Sequence, residues 1–291
     1  MTVRAAIARL TQQEQLNFLL TNRLPRRWAT LFVGWLSRIE QPWLCALILR
    51  VWGLFTELDL SDARDAHFRS LQEFFTRPLR PGARPVDPDP EVIVSPCDGI
   101  VGELGQVHEG AVVQAKGFPY TLLDLLGDEE LVRHYAAGSF VTLRLTSGMY
   151  HRFHAPYDCR VERLTYVSGD TWNVNPIALR RVERLFCKNE RAIIRCRLRA
   201  ADTLLTLVPV AAILVASIRL HCADVLLHLR YRGPNDIPCD AALRKGEEMG
   251  WFQQGSTIIA FAPPGCAFAP GLGPGRRIRM GEPLLRIGAR T

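Results

Sequence analysis

The chain has 291 residues, with 36 Lys and Arg against 29 Asp and Glu and a hydrophobic fraction of 48%. That length allows one large domain or a compact domain with an appendage, and the apolar content excludes a disordered chain. The net charge of +7 is carried almost wholly by arginine, since the only lysines are Lys116, Lys188 and Lys245; an anionic lipid surface and nucleic acid are both admissible partners on charge alone.

The first twenty residues lack a continuous apolar stretch and contain Arg9 and Glu14, so no cleavable signal peptide is expected. The first forty hold arginines at 4, 9, 23, 26, 27 and 38 against Glu14 and Glu40. Trp28, Leu31, Phe32, Trp35, Leu36 and Ile39 then recur at helical spacing, with Pro25 placed for a helix start. A second stripe follows Pro42, through Leu44, Leu47, Ile48, Val51 and Phe55. Tryptophans beside arginines suit an interfacial helix, while packing on a neighbouring core is the plainer alternative. From Pro78 to Pro90 the chain turns polar and Pro-rich, which marks a linker or an extended crossing segment.

Beyond it the pattern changes to short apolar runs at Val92–Val94, Phe140–Leu145, Ala192–Leu198, Leu204–Ile218 and Val225–Leu229, punctuated by Gly, Pro, Asn and Asp. That is strand-and-turn grammar, with short helices predicted at Leu122–Leu126 and Pro176–Leu185. The uncharged run from Thr203 to Ser217 is too short and too β-branched to span a bilayer, and Pro209 interrupts it. The expected class is α+β: N-terminal amphipathic helices (1–77, membrane-associating) followed by an antiparallel β-rich catalytic domain (78–291). The eight cysteines include no C-x-x-C pair, so they are expected reduced and mostly buried, without a zinc or thioredoxin-like site.

Gly255-Ser256-Thr257 alone reads as a turn, and Ile258 breaks the nucleophile-elbow pattern. Its company makes it informative. Upstream stand Ser95-Pro96-Cys97-Asp98-Gly99 and Tyr150-His151-Arg152-Phe153-His154-Ala155-Pro156. Two histidines three apart could bind a metal, but no nearby Cys or carboxylate has ligand spacing, so no metal is expected. If residues 151 to 154 are extended, the odd spacing sends the two rings to opposite faces. Ala155, preceding a proline, is biased to extended geometry.

Together these segments resemble the bacterial, pyruvoyl-dependent phosphatidylserine decarboxylase family. The resemblance runs from Phe74-Phe75-Thr76-Arg77-Pro78-Leu79-Arg80-Pro81 through Lys116-Gly117-Phe118-Pro119-Tyr120-Thr121-Leu122-Leu123 to a central block of Gly169-Asp170 and Asn173 through Asn189-Glu190-Arg191, which holds Lys188. It ends on the stretch from Lys245 in which Glu248-x-Gly250-x-Phe252 leads into Gly-Ser-Thr. One such motif would be chance; the set in this order is not. Departures are Gln254, where the family commonly has Leu, and Ala211, Ala212 and Ala216, where it often has glycines.

The resemblance implies that the chain cuts itself between Gly255 and Ser256. Ser256 would attack the Gly255 carbonyl with His154 as base, oriented by Asp98. The ester would eliminate and the residue lose ammonia to water, leaving a pyruvoyl cofactor at position 256. The products would be a large chain, 1–255, and a small chain, 256–291. His151 would assist decarboxylation of phosphatidylserine to phosphatidylethanolamine, or reprotonation after CO2 leaves. Implied partners are the lipid substrate, an anionic membrane on its cytoplasmic side with the protein peripheral, and a second copy in a homodimer, with no nucleic acid. Alternatives are a decarboxylase of a soluble amino acid, a non-catalytic membrane-binding paralogue and a pyridoxal enzyme. The basic, Trp-bearing helices speak against the first. The presence of Asp98, His154 and Ser256 speaks against the second. The third lacks a free lysine, since each of the three falls in a segment of the resemblance.

Overall fold

The computed structural model describes residues 25–288 except 55, 57, 115–117, 200–202, 215 and 254–255. Expectations for Arg4, Arg9, Glu14, Arg23, Phe55, Lys116, Gly117, Gln254 and Gly255 lie outside the described residues. The expected α+β class is the one observed, with small helices leading into antiparallel sheets.

Helix α1 (Arg26–Leu36) follows Pro25, and α2 (Pro42–Trp52) begins on Pro42, whose missing N–H costs nothing in a first turn. Neither is long and apolar enough to cross a membrane, nor is any other described helix. A third helix, α3 (Leu71–Phe75), starts on Ser70, whose hydroxyl accepts from Glu73 N–H. Its Leu71, Phe74 and Phe75 close a small core with Cys45 of α2 and Phe68.

The strands are β1 (Val92–Val94), β2 (Gly99–Gln106), β3 (Ala111–Val113), β4 (Pro119–Thr121), β5 (Ser139–Leu145), β6 (Arg152–His154), β7 (Cys159–Val167), β8 (Arg191–Leu198) and β9 (Thr203–Ala211). They continue with β10 (Ser217–Leu220), β11 (Val225–His228), β12 (Asp236–Leu243), β13 (Glu248–Phe252), β14 (Ser256–Ala262), β15 (Ala267–Phe268), β16 (Arg277–Ile278) and β17 (Pro283–Arg286). Eight of them form the main sheet in the order β12-β7-β8-β9-β14-β5-β2-β16. A second sheet, β11-β10-β13-β6, shares one apolar core with a face of the first through Phe153, Ile218, Leu220, Met249 and Phe252. The other face is covered by α4 (Leu122–Leu126), α5 (Glu129–His134), α6 (Pro176–Leu179) and α7 (Leu185–Lys188).

Strand β14 is central and buried throughout. Its residues alternate by the period of two, with Ile258 and Ala260 in the core between the sheets and Ile259 and Phe261 in the other. Ser256 has the parity of Ile258, so it points toward the second sheet.

Two expected elements divide. The run 204–218 is not one strand: β9 ends at Ala211, and β10 begins at Ser217 in the other sheet. The crossing is sharp, with Leu214 at φ 90° and Ala216 at φ 39°, left-handed values that disfavour L-residues. The helix expected over 176–185 stops at Leu179 and resumes at Leu185. Buried Gln114 fills the gap, donating from Nε2 to the Leu179 and Val182 carbonyls while its Oε1 accepts from Leu185 N–H. The segment 78–90 runs as an extended crossing pinned by bonds such as Arg80 N–H to Asp62 O and Asp87 N–H to Gly281 O.

One buried acid makes the fold pH-sensitive. Glu190 accepts from the Tyr166 hydroxyl on Oε1, Oε2 has no partner among the described residues, and burial pushes its pKa up to about 7. Its folded value lies above the unfolded one, so the stability gained from protonation is present below about pH 4.5 and is lost as pH rises through about 7. Glu190→Gln should abolish that loss, worth ~3 kcal/mol. The thermal midpoint of the variant should then fall several degrees less than that of the wild type between pH 5 and pH 8; equal falls would refute the assignment.

Candidate active site

Ser256 opens β14 between Leu145 of β5 and Ala211 of β9. It is fully buried, and its Oγ has no hydrogen-bond partner among the described residues. A buried hydroxyl left unpaired costs about 1–3 kcal/mol, so native chains seldom keep one without a use for it. Thr257 Oγ1 and Ser217 Oγ share that condition.

The chain leading to Ser256 is β13, and β13 pairs with β6, the strand of the histidines. His151, just before β6, accepts at its carbonyl from Phe252 N–H (2.9 Å). Gly250 is needed in that ladder, because a Cβ there would overlap the Arg219 carbonyl oxygen of β10. The two rings meet different surroundings. His151 is buried edge-on against Phe75 at 5.7 Å, and its nitrogens have no well-formed hydrogen bond, although the Met149 backbone approaches. Burial first, and the nearby Arg77 cation second, lower its pKa to about 3, so the ring is neutral.

Arg77 is itself buried, donating to the Phe74, Gly148 and Met149 carbonyls, and desolvation lowers its pKa to about 10. It thereby holds the loop that enters the His151 strand.

His154 donates from Nδ1 to the Gly246 carbonyl at 2.9 Å, which leaves Nε2 as the basic nitrogen. That nitrogen accepts from the Tyr150 hydroxyl at 3.0 Å. Burial is the main cause lowering the His154 pKa, so this ring too is neutral near pH 7.

Asp98 is brought close by the backbone, as His154 N–H donates to the Pro96 carbonyl (2.7 Å). Its carboxylate, however, is not bonded to His154. Arg84 donates to both oxygens from Nε and Nη2, and Met280 N–H donates to Oδ1. Arg84 also reaches Asp62 (2.7 Å). In this structure the orienting acceptor for His154 is therefore a backbone carbonyl, because a bidentate guanidinium outcompetes a neutral imidazole for the carboxylate.

No hydrogen bond joins Asp98, His154 and Ser256 to one another among the described residues. Gly255 lies outside them. Among the described residues no group of three His, Cys, Asp or Glu is placed to hold a metal.

Two cavities flank the site. One of about 460 Å³ is lined by Asp98, Arg84, Arg77 and Tyr150. The other, about 260 Å³, begins where the partners of Ser256 end, at Leu145–Ser147 and Ala212–Leu214, and reaches Trp52 and Asn173–Asn175. Sequence reasoning passed over Tyr150, Arg84 and Gly246. Arg84 stands in a Pro-rich stretch that reads as linker, and only its distance from Asp98 in space reveals its use.

The family model described as phosphatidylserine decarboxylase matches residues 71–286, a span holding Arg77, Arg84, Asp98, His151, His154 and Ser256. The chain belongs to the phosphatidylserine decarboxylase family. It is 38% identical over 271 residues to the phosphatidylserine decarboxylase proenzyme of Anaeromyxobacter sp. (strain K), covering 90% of this chain and 94% of that protein. It is 37% identical over 274 residues to the proenzymes so named from Yersinia pestis (strain Pestoides F) and Yersinia pseudotuberculosis serotype O:1b (strain IP 31758), covering 90% of this chain and 92% of each. In this member of the phosphatidylserine decarboxylase family, the Ser256 hydroxyl is one of several buried polar groups of the site, with Ser217, Thr257 and His151, that lack a hydrogen-bond partner among the described residues.

Proposed function

We propose that this chain decarboxylates phosphatidylserine, using a pyruvoyl group that it makes by cutting itself between Gly255 and Ser256. The observation that carries this reading is the buried Ser256 hydroxyl at the head of the central strand, without a hydrogen-bond partner among the described residues. The word proenzyme in the names of its relatives, a precursor awaiting processing, supports it.

The surroundings fit such a group. A cut before residue 256 leaves β14 in register with β5 and β9, so the new terminus stays fixed in the core. The Thr257 and Ser217 hydroxyls, both buried and without a partner among the described residues, are available as donors. The pyruvoyl group supplies an electron sink for the pair released with CO2. In the first step Ser256 Oγ forms a bond to the Gly255 carbonyl carbon and its proton passes to His154 Nε2. The peptide C–N bond breaks as that proton moves on to the Ser256 nitrogen, leaving an ester. The chain is cut when Ser256 loses its Cα proton and the Cβ–Oγ bond breaks, releasing the Gly255 carboxylate and a dehydroalanine that loses ammonia to water. Tyr150 must yield that lone pair first. Asp98, held by Arg84, provides negative charge beside the resulting imidazolium. His151, neutral and dry, would act on the substrate side, where an arriving anion raises its pKa toward one able to donate. Intact mass of the purified protein tests the reading: two chains divided at 255/256 are expected, and the full-length mass alone would refute it.

We further infer that residues 1–77 hold the enzyme on an anionic membrane. Helix α1 docks on the catalytic portion by its polar side. Arg26 binds Asp170 and stacks 3.7 Å over Trp172, and Thr30 Oγ1 accepts from Leu214 N–H. Its apolar side faces outward instead, with Trp28, Phe32 and Trp35 exposed, as are Trp43, Leu47 and Val51 of α2. That inversion argues against simple core packing and for an interfacial role. Replacing Trp28, Trp35 and Trp43 together by serine should cut pelleting with anionic vesicles at least about tenfold, and added salt should weaken the wild type. Undiminished pelleting of the triple variant would place the anchor elsewhere.

A further inference from the structure

The cleft at the strand ends beside Ser256 contains a cation that no acid among the described residues neutralises. Arg144 lies on β5 between Ile100 of β2 and Thr257 of β14. It is the one charged residue among the described residues lining the cleft of about 260 Å³. Burial lowers its pKa, and no carboxylate opposes that shift. Its side chain has no hydrogen-bond or ion-pair partner among the described residues. Other buried arginines here have partners: Arg84 two aspartates, Arg77 and Arg191 backbone carbonyls. A half-buried guanidinium without an anion is costly to keep unless a ligand supplies one.

We propose that Arg144 binds the phosphodiester of the phospholipid substrate and sets specificity for a phosphate-bearing headgroup. The proposal rests on the decarboxylase reading above. Arg144 and its cross-strand partner Thr257 lie on the face of the sheet opposite the Ser256 side chain, and position supports the proposal because the cleft continues, at the strand ends, the two strands that flank Ser256. Trp52 forms one wall and belongs to α2, whose Trp43, Leu47 and Val51 are exposed. The cleft thus abuts the helix that would meet the lipid.

Chemistry selects the phosphodiester over the carboxylate. A carboxylate paired with arginine would be held in its ground state, and the pairing would be lost as CO2 forms, which raises the barrier. A phosphodiester keeps its charge throughout, so arginine binds it equally before and during reaction, and its planar fork matches two phosphate oxygens.

The test uses the processed full-length enzyme and Arg144→Gln, which removes the charge. With monomeric dihexanoylphosphatidylserine, KM is expected to rise about 10–100-fold while kcat stays within about twofold. Arg144→Lys should fall between, keeping the charge without the fork. Calorimetric titration gives a readout without turnover. Wild type should bind sn-glycero-3-phosphoethanolamine more tightly than ethanolamine, and Arg144→Gln should bind the two alike. Unchanged KM with an unchanged preference overturns the assignment. So does a fall in kcat at constant KM, which would move Arg144 to the carboxylate. If Arg144→Gln does not mature, the Arg144→Lys titration decides by the same criterion, with a weakened preference expected and a wild-type one overturning the assignment. A wild type that never cleaves and releases no CO2 refutes the underlying decarboxylase reading instead, before any variant is made.

Discussion

Ser256→Ala is expected to remain a single chain of about 32.7 kDa under conditions in which the wild type separates into residues 1–255 and 256–291. The variant lacks the only oxygen placed to attack residue 255 from the following position. It should nonetheless fold. Ser256 Oγ makes no hydrogen bond among the described residues and is wholly buried, so removing it takes an unpaired polar atom out of the core. The expected change in stability is neutral to favourable by about 1 kcal/mol, and the thermal midpoint should match or exceed that of uncut wild type. A chain that is uncut yet folded separates a chemical defect from a folding defect. In the wild type the small chain should be blocked to N-terminal sequencing, and borohydride with an amine should trap it. Cleavage of Ser256→Ala at the same bond would refute the serine's role.

His154→Ala and His151→Ala should fail at different stages. His154 offers a basic Nε2, fixed by the Gly246 carbonyl, so its loss should slow self-cleavage by about 100-fold or more, the usual worth of a general base. His151 is neutral, enclosed by Phe75 and Arg77, and has no partner that would orient it toward Ser256. His151→Ala should therefore cut at close to the wild-type rate yet release CO2 at least about 100-fold more slowly. Chain cleavage on a gel, followed by CO2 release from the cut fraction, reads both stages. If both variants mature normally, or if only His151→Ala stays uncut, the roles are misassigned. Tyr150→Phe adds a check on the same ring. It frees Nε2 of its donor, so cleavage should not be slowed unless the hydroxyl relays the proton.

Much of this protein is written locally. Pro42 starts α2, and Thr121 and Gly127 delimit α4, the latter in a left-handed cap at φ 64°. Such features need only near neighbours in the chain. The extended segment at the histidines and the strand before it follow from alternation, and the order of the motifs identifies the family from residue types alone.

What the sequence could not decide depends on groups far apart in the chain and adjacent in space. The expected helix over 176–185 divides because Gln114, 71 residues before Leu185, supplies its hydrogen bonds. The apolar run 204–218 divides because one half belongs to each sheet, and hydropathy is the same on both sides of the crossing. Asp98 binds Arg84 and the Met280 amide, 182 residues away, and not His154, because carboxylate partners are chosen by proximity after folding. The outward face of α1 was open to two readings for the same reason. An amphipathic stripe fixes which side is apolar, and only docking through Arg26 and Thr30 turns that side away from the core.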